Sequence, residues 1–258
     1  MLRWAQAEGL EIAVIGLGSN LLVADEGYDG LALRLVGALA RIERDGDLVA
    51  CGGGATLAAI VKRATGWGLS GIEFGCAIPG TAGGAVRMNA GAYGGEMRDV
   101  LEAALVVGAG GERQGGPEAL DMTYRHSNVG AGEVVAQAVL RLRPDDPERI
   151  RATVADMQRR RREAQPAKVR TFGSVWKNPD GAIGAGQMLE ACGLKGFTLG
   201  GARISPVHAN FIENVGGARS ADVVGLMREA RRRARERYGV ELEHEVQMLG
   251  PIGLEPDG

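Results

Sequence analysis

The feature that most constrains this chain is a glycine-rich segment at residues 68–95, GLSGIEFGCAIPGTAGGAVRMNAGAYGG. The segment is too apolar for a linker, and it contains too much glycine for a regular helix. Glycine and proline at this density specify a particular backbone path, often one that approaches a ligand closely. A second glycine-rich region covers residues 173–217, and shorter glycine loops occur at residues 16–20 and 52–54. The pattern indicates either a ligand cradle or a structural glycine-rich sheet.

Composition excludes several classes of protein. The chain has 258 residues, 45% of them hydrophobic and 24% charged, which is typical of a globular protein with one large domain or two small ones. A formal net charge of −2 argues against a general nucleic-acid binder, and every apolar run is too short for a membrane span. Three widely spaced cysteines, Cys51, Cys76 and Cys192, exclude a disulfide scaffold and favour a cytoplasmic location.

Periodicity predicts a mixed α+β fold. Alternating or β-branched runs predict strands at residues 11–16, 31–36, 47–52, 101–107, 133–142 and 241–249. Apolar stripes predict helices at residues 1–9, 56–67, 147–164 and 221–238, with Asp146 and Ser220 as caps of the last two and Gly239 as a stop signal. The Pro-Asp-Asp-Pro run at 144–147 predicts two domains, residues 1–146 and 147–258, with the final strand packing back on the first.

Familiar catalytic and nucleotide motifs are missing from the sequence. Neither short glycine loop has the third glycine of a dinucleotide fingerprint, and no Gly-Lys pair of a P-loop occurs. No CxxC, HExxH or G-x-S-x-G motif occurs, so neither a metal site nor a nucleophile elbow is predicted. Backbone N–H groups of glycine loops can bind a phosphate, with Ser19, Asn20 and Thr81 as further donors. This favours a pyrophosphate cofactor held without a Rossmann fold, with a structural sheet as an equal alternative.

Several long motifs in order give the chain a specific resemblance. They are GLGSNLLVADEGYDG (16–30), GIEFGCAIPGTAGGAVRMNAGAYGGE (71–96), YRHS (124–127), GSVWKNP (173–179), GLKGFTLGGARISPVHANFIEN (193–214) and ELEHEVQMLG (241–250). Together they resemble the UDP-N-acetylenolpyruvoylglucosamine reductase family of peptidoglycan synthesis, in its shorter type, over essentially the whole chain. The chain opens in a helix without the family's N-terminal R-V-G-G motif, so we expect its first domain to be N-terminally incomplete.

The resemblance implies a fold and a reaction. It implies an FAD-binding domain of the vanillyl-alcohol-oxidase type and a C-terminal α/β substrate domain. NADPH would reduce FAD, and a hydride would then reach the enolpyruvyl group of a UDP-sugar to give UDP-N-acetylmuramate.

The resemblance also implies three catalytic residues. The Y-R-x-S motif places at Arg125 an arginine that holds the substrate carboxylate, and G-S-x-F-K-N-P places the proton donor at Ser174. The closing E-V motif places at Glu245 a glutamate that helps to stabilise or protonate the enol. Trp176 stands where the serine motif usually has phenylalanine and is expected to form an aromatic wall.

The same resemblance implies two sets of binding residues. For FAD they are Gly16, Gly18, Ser19, Asn20, Pro79, Gly80, Thr81, Gly83, Gly84 and Asn89. For the UDP-sugar they are Lys177, Asn178, Lys195, His208 and Asn210.

Two other functions compete with this one. The chain could be a truncated, non-catalytic UDP-sugar-binding paralogue, or an arginine-rich RNA-binding module. The arginine runs at 159–162 and 231–233 are interleaved with glutamate and alanine, which indicates solvated helix faces, and no nucleic-acid signature accompanies them. The sequence predicts no oligomeric state.

Overall fold

A computed structural model describes residues 1–167, 169–181 and 183–254. The contacts within the chain form two compact units, each with its own core. The first unit comprises Met1–Leu17 and Gly30–Arg161, and the second comprises Gly18–Asp29 and Arg162–Gly258. The chain therefore passes between the units inside the glycine loop at residues 16–20, near residue 30 and near residue 161. None of these points is the boundary at residue 146 that the sequence suggests.

The first unit is organised by one antiparallel sheet. Its five strands lie in the order Gly111–Gly115, Leu101–Gly108, Val134–Arg141, Leu48–Gly52 and Ile42–Asp45. Short pairs join Ile12–Val14 to Leu31–Leu33 in parallel, Leu69–Ser70 to Arg143–Pro144, and Gly91–Ala92 to Gly95–Glu96. The helices are Leu2–Ala7, Leu57–Gly66, Ala82–Arg87 and Pro147–Ala164, with 3-10 turns at Gly37–Ala40, Glu73–Ala77 and Met97–Asp99. Strands Ile42–Asp45 and Gly111–Gly115 are absent from the sequence prediction.

Helix Leu57–Gly66 forms as its sequence predicts. Thr56 precedes it in an extended conformation, and its Oγ1 accepts a hydrogen bond from the Ala59 N–H at 3.2 Å. This bond satisfies one of the donors that the first helical turn leaves unpaired. Leu57, Ile60 and Val61 are buried in the core of the unit, which confirms the predicted apolar face.

A short helix, Ala82–Arg87, lies inside the glycine-rich segment, where the sequence analysis expects no regular helix. The Thr81 hydroxyl caps it by accepting from the Gly84 N–H at 3.4 Å. Position 83 favours glycine because a Cβ atom there would lie only 3.0 Å from the Gly53 carbonyl oxygen. Close packing of two backbones has therefore outweighed the low helix propensity of glycine.

The second unit contains a four-stranded antiparallel sheet in the order Arg170–Ser174, Phe211–Asn214, Ala202–Ile204 and Thr198–Leu199. Helices Ala185–Ala191 and Ser220–Tyr238 accompany it, and strand Gln247–Leu249 pairs in parallel with Leu21–Val23. Leu189, Leu194, Leu226 and Met227 are fully buried and form the centre of this core.

Three helix ends test the predicted caps. The Asp146 Oδ1 accepts from the Glu148 N–H at 2.9 Å, and Gly239 ends its helix in the left-handed region at φ 67°, so both predictions are confirmed. Ser220 is instead the first helical residue. The N–H of Arg219, the actual cap position, donates to Asp222 Oδ2 at 3.0 Å, and the Ser220 hydroxyl donates to Asp25 at 3.1 Å.

The predicted terminal strand at 241–249 is mostly wrong. Only Gln247–Leu249 is a strand, whereas residues 241–246 make single contacts with the segment 175–177. Leu242 and Val246 are buried, so the alternating pattern in this segment reflects burial and does not require a continuous strand. Among the described residues, no helix combines the length and the apolar character needed to cross a bilayer.

Candidate active site

A cavity of about 320 Å³ lies in the first unit between glycine-bearing loops and the central sheet. Four of the predicted cofactor residues line it, namely Gly16, Thr81, Gly83 and Gly84. Its remaining wall is largely apolar and includes Val14, Ile15, Val36, Val129 and Val135. A mostly apolar cavity with a few polar groups is typical of a small-molecule or cofactor site.

The glycines around this cavity allow main chains to approach one another. A Cβ at Gly53 would lie 1.8 Å from the Val135 carbonyl oxygen, and one at Gly54 would lie 2.2 Å from that of Leu35. A Cβ at Gly16 would lie 2.8 Å from the Thr81 Oγ1. Real Cβ atoms do not make contacts this short, so any side chain at Gly53 or Gly54 would push these backbones apart and reshape the cavity.

Two backbone N–H groups at this cavity bond to protein carbonyl oxygens, whereas the sequence favours glycine-loop N–H groups that bind a phosphate. The Gly83 N–H donates to the Gly53 carbonyl oxygen, and the Gly53 N–H donates to that of Ala136, both at 2.8 Å. Gly83 therefore contributes close packing, because its amide is already engaged by the protein. Of the other predicted cofactor residues, Pro79, Gly80 and Asn89 are not among the described residues that line the cavity.

Two cavity-lining arginines, Arg34 and Arg87, are functional candidates that the sequence analysis missed. Arg87 ends the helix in the glycine-rich segment, and its Nη1 donates to the Gly130 carbonyl oxygen at 3.2 Å. Burial lowers the pKa of Arg87, and the nearby Glu133 carboxylate partly offsets that effect. A partly desolvated guanidinium on an apolar wall suits an anionic ligand. The sequence signal that could have identified Arg87 is that it is the single Lys or Arg in the glycine-rich segment 68–95.

Arg125 lies in a tight turn of the first unit. Its backbone adopts φ 54°, a left-handed conformation that is uncommon outside glycine. Its Nη2 donates to the Gly91 carbonyl oxygen at 2.9 Å, and its Nη1 lies 3.5 Å from that of Asn89. Arg125 is half-buried, so the turn holds a guanidinium group that solvent partly reaches.

The predicted FAD residue Asn89 is fully buried, at 0% exposure, and its side chain is occupied by protein groups. Its Nδ2 donates to the Thr123 carbonyl oxygen, and its Oδ1 accepts from the Arg98 N–H, both at 2.9 Å. A cofactor could not reach this amide without displacing the protein around it. The resemblance implies that Asn89 binds FAD, and that role stays a prediction, whereas in this structure the side-chain amide bonds only to protein groups.

Ser174 ends an edge strand of the second unit immediately after a bulge. The pairing register with strand Phe211–Asn214 shifts between Thr171 and Ser174, and the intervening Gly173 has φ 87°. A Cβ at Gly173 would also lie 3.2 Å from the Ser19 carbonyl oxygen. Bulges re-aim the side chains that follow them and occur next to active sites. The bulge therefore influences the direction of the Ser174 side chain, and it brings the backbone at Gly173 beside the loop that contains Ser19.

Glu245 is anchored next to Ser174 in the same unit. The Glu245 N–H donates to the Val175 carbonyl oxygen, and the Glu245 carbonyl accepts from the Asn20 Nδ2, both at 2.9 Å. Two predicted catalytic residues and two predicted cofactor residues are thus brought together from three distant parts of the sequence. Arg125 and the cavity belong to the first unit. Glu245 is half-buried, whereas the nearby Glu241 and Glu243 are exposed.

Trp176, expected to form an aromatic wall, lies in a core. Its side chain is 2% exposed and packs in the core of the second unit. Its backbone forms a double bridge with Asn210, whose Oδ1 accepts from the Trp176 N–H and whose Nδ2 donates to the Trp176 carbonyl oxygen, both at 2.9 Å. Asn210, predicted to bind the UDP-sugar, therefore uses its side-chain amide to fix the segment that contains Ser174.

Asn178 and His208 also make contacts within the protein. Asn178 Oδ1 accepts from the Ala185 N–H at 3.0 Å, at the start of helix Ala185–Ala191. The His208 Nδ1 accepts from the Asn210 N–H at 3.2 Å, and its ring packs edge-to-face on Phe211 with centroids 5.1 Å apart. Burial is the main cause that lowers the pKa of His208, and the Lys195 ammonium adds to it. The ring is therefore neutral near pH 7.

The two predicted substrate lysines form ion pairs with glutamates. Lys177 pairs with Glu243, and Lys195 pairs with Glu190 at 2.8 Å. The carboxylate side chains of both partners are more than half exposed. The Lys177 and Lys195 side chains themselves are only 18% and 32% exposed, so each pair joins a partly buried lysine side chain to a carboxylate that solvent reaches.

Comparisons with known proteins match both halves of the chain. The family "FAD binding domain" matches residues 1–114, and "UDP-N-acetylenolpyruvoylglucosamine reductase, C-terminal domain" matches residues 165–249. A protein named UDP-N-acetylenolpyruvoylglucosamine reductase 2 from Symbiobacterium thermophilum is 44% identical over 97% of this chain and 82% of its own length. One named UDP-N-acetylenolpyruvoylglucosamine reductase from Paramagnetospirillum magneticum is 43% identical over 93% of this chain and 78% of its own length.

A solved structure gives the same result. The crystal structure of UDP-N-acetylenolpyruvylglucosamine reductase (MurB) from Thermus caldophilus superposes with a TM-score of 0.84 at 38% identity. The match covers 96% of this chain and 88% of that one.

Proposed function

The chain belongs to the UDP-N-acetylenolpyruvoylglucosamine reductase family, and from this membership we propose a specific reaction. The protein is an FAD-containing oxidoreductase. It uses NADPH to reduce the enolpyruvyl ether of UDP-N-acetylglucosamine to UDP-N-acetylmuramate, a precursor of peptidoglycan. The observation that carries this proposal is the convergence of Ser174 and Glu245 beside the Ser19–Asn20 loop in the second unit.

The residues around the cavity fit the adenosine diphosphate part of FAD. Gly53 and Gly54 line this space without side chains, and its walls are largely apolar. Arg34 and Arg87 supply positive charge for a diphosphate, and Thr81 and Gly16 line the same space. Gly18, Ser19 and Asn20 continue this loop into the second unit, next to the proposed catalytic residues.

Three side chains would act on the substrate. FAD, when bound, would supply the hydride chemistry for the methylene carbon of the enolpyruvyl group, with NADPH as the reductant. The Arg125 guanidinium binds the substrate carboxylate through paired N–H groups and stabilises the negative charge that builds up there as the enolate forms. The Ser174 hydroxyl donates its proton to the adjacent carbon. A serine can do so because the enolate is strongly basic, and Glu245 helps to stabilise or protonate the enol.

The UDP part of the substrate would meet Lys177 and Lys195. Both ammonium groups pair with exposed carboxylates, for which a diphosphate would substitute. The remaining predicted substrate residues would act indirectly. The Asn178 side chain holds the start of helix Ala185–Ala191, the Asn210 side chain holds the segment that contains Ser174, and His208 bonds to the Asn210 backbone. Cys51, Cys76 and Cys192 are free thiols, which fits the cytoplasm that we propose as the location of the reaction.

The test is a product assay on the purified chain loaded with FAD. Incubation with NADPH and the enolpyruvyl UDP-sugar should give UDP-N-acetylmuramate by mass spectrometry, whereas UDP-N-acetylglucosamine without the enolpyruvyl group should not support NADPH oxidation. A chain that binds the UDP-sugar but takes up no FAD would instead be a non-catalytic binding protein, and the proposed reaction would be wrong.

A further inference from the structure

Backbone strain in the described part of the chain is concentrated around Arg125. Outside glycine, left-handed φ angles occur at Asn89 (39°), Tyr93 (53°), Asp121 (47°) and Arg125 (54°). All four residues lie in two loops of the first unit, residues 89–93 and 121–125. Such conformations are unfavourable for residues with a Cβ, and they persist where surrounding contacts impose them, commonly at functional sites.

Asn89 is the residue that joins these two loops. Its Nδ2 donates to the Thr123 carbonyl oxygen, two residues before Arg125, while its Oδ1 accepts from the Arg98 N–H, both at 2.9 Å. The Thr123 and His126 backbones exchange hydrogen bonds at 3.1 and 3.2 Å, which closes the turn around Arg125. Asn89 therefore fixes the backbone from which the Arg125 side chain extends.

The same loop also holds the charged end of Arg125. The Gly91 carbonyl oxygen accepts from its Nη2 at 2.9 Å, and the Asn89 carbonyl oxygen lies 3.5 Å from its Nη1. The guanidinium plane is thus oriented by two carbonyls whose own positions depend on the left-handed backbone at Asn89. Asparagine suits this place because its short polar side chain tolerates left-handed φ better than most residues do.

We propose that Asn89 is a positioning residue that fixes the Arg125 guanidinium in the orientation needed to bind the substrate carboxylate. The proposal rests on the role given above to Arg125. It is an alternative to the expectation that Asn89 binds the cofactor. Misplacing a catalytic group by about 1 Å can cost about 100-fold in rate, so loss of the Asn89 bonds should slow the step that uses Arg125.

The experiment compares Asn89→Asp with Asn128→Asp. Asn89→Asp keeps the acceptor for the Arg98 N–H but sets an oxygen against the Thr123 carbonyl. Asn128 is a matched control, because its Nδ2 also donates to a backbone carbonyl, that of Ala119, at 2.9 Å. Asn89→Gly is a second variant that keeps the left-handed backbone and removes both side-chain bonds. FAD content, flavin reduction by NADPH and flavin reoxidation by the enolpyruvyl UDP-sugar are measured separately.

We expect Asn89→Asp and Asn89→Gly to retain FAD and to be reduced by NADPH at the rate of the parent protein. Reoxidation by the substrate should slow about 10- to 100-fold in both, and Asn128→Asp should behave like the parent. In an Arg125→Lys background, Asn89→Asp should add less than about 3-fold, because both changes remove the same interaction. Amide hydrogen exchange at His126 should also become faster in both Asn89 variants.

Several results would overturn the proposal. Loss of FAD in Asn89→Gly would make Asn89 a cofactor residue, and a multiplicative effect with Arg125→Lys would make the two residues independent. Unchanged reoxidation in both Asn89 variants would leave Asn89 without a positioning role. If Arg125→Lys itself turned over normally, the proposed role of Arg125 would fail first, and His126 exchange would still report whether Asn89 holds the turn.

Discussion

The position of Ser174 is fixed by the residues on either side of it. The bulge at Gly173 and the Asn210 bridge to Trp176 fix the backbone on both sides of the hydroxyl. A proton donor works only from a defined position, since the transfer distance is that of a hydrogen bond. The motif identified Ser174 from the sequence. The bulge and the bridge could not be predicted from the sequence, because they depend on contacts with residues 210–214, which are distant along the chain.

Removing the Ser174 hydroxyl should separate the two halves of the reaction. In Ser174→Ala, NADPH should still reduce the flavin, but turnover of the enolpyruvyl substrate should fall by about 10²- to 10⁴-fold, the usual contribution of a general acid. Stopped-flow measurement of each half-reaction checks this. Thr198→Ala serves as a control, because Thr198 is exposed on the opposite edge strand of the same sheet. Equal loss of both half-reactions in Ser174→Ala would mean that Ser174 is structural.

His208 should make the second unit less stable in acid. Its lowered pKa means that the unfolded chain, with a histidine pKa near 6.5, binds the proton more readily than the folded chain. The free energy of unfolding contributed by this group is therefore fully present above about pH 6.5 and falls as the pH drops toward the lower folded value.

The pH effect can be assigned by substitution. Asn at position 208 can still accept from the Asn210 N–H but cannot titrate, so His208→Asn should lose less stability than the parent between about pH 7.5 and about pH 5.5. Urea unfolding at the two pH values measures the difference. His126→Asn is the control, since His126 has an exposed side chain. Identical losses in the parent and in His208→Asn would show that burial of this imidazole does not matter.

At the scale of elements, the accuracy of prediction depended on whether the signal was local. Helix Leu57–Gly66 was predictable because its cap, apolar stripe and end all lie within about a dozen residues. Helix Ala82–Arg87 was not predictable, because its Gly83 packs against the backbone at Gly53, which is distant in sequence. The terminal strand was overpredicted because alternation of Leu242 and Val246 reports burial, whereas a ladder requires a continuous partner.

The glycine loop at Gly53 offers a direct test of backbone packing. Gly53→Ala should lower the free energy of unfolding by about 3 kcal/mol, because a Cβ 1.8 Å from the Val135 oxygen forces the loop and strand apart. Gly66→Ala is the matched control, since it lies in a helix with open space around it and should be neutral or stabilising by about 0.5 kcal/mol. Chemical denaturation measures both. A Gly53→Ala protein as stable as the parent would contradict the packing argument.

At the scale of the whole molecule, charge distribution agrees with the predicted solvated faces. Arg151 and Arg159 pair with acidic residues on their own helix, and Arg232 pairs with both Glu229 and Glu236. These i,i+3 and i,i+4 pairs place acidic groups beside arginines on the solvated helix faces. The division into two parts could be anticipated from the Pro-Asp-Asp-Pro run at 144–147, although the second unit resumes only after Arg161. The transfer of residues 18–29 to the second unit could not, because it depends on pairing of Leu21–Val23 with Gln247–Leu249.

Cofactor binding should stabilise the molecule by mass action. With free FAD at about 100 times its dissociation constant, the free energy of unfolding should rise by about 2.7 kcal/mol, because the cradle exists only in the folded chain. Arg87→Met removes a cation from the cavity wall and should reduce this gain at the same FAD concentration. Denaturation with and without FAD measures it. A gain that is unchanged in Arg87→Met would remove Arg87 from the proposed FAD site.

The most direct test of the account follows the flavin spectrum of one anaerobic sample through both half-reactions. The purified chain should be yellow with bound FAD, lose that colour on addition of NADPH, and regain it on addition of one equivalent of the enolpyruvyl UDP-sugar, with UDP-N-acetylmuramate formed in the same amount. A chain that cannot be loaded with FAD, or a reduced flavin that the UDP-sugar leaves colourless, would contradict it.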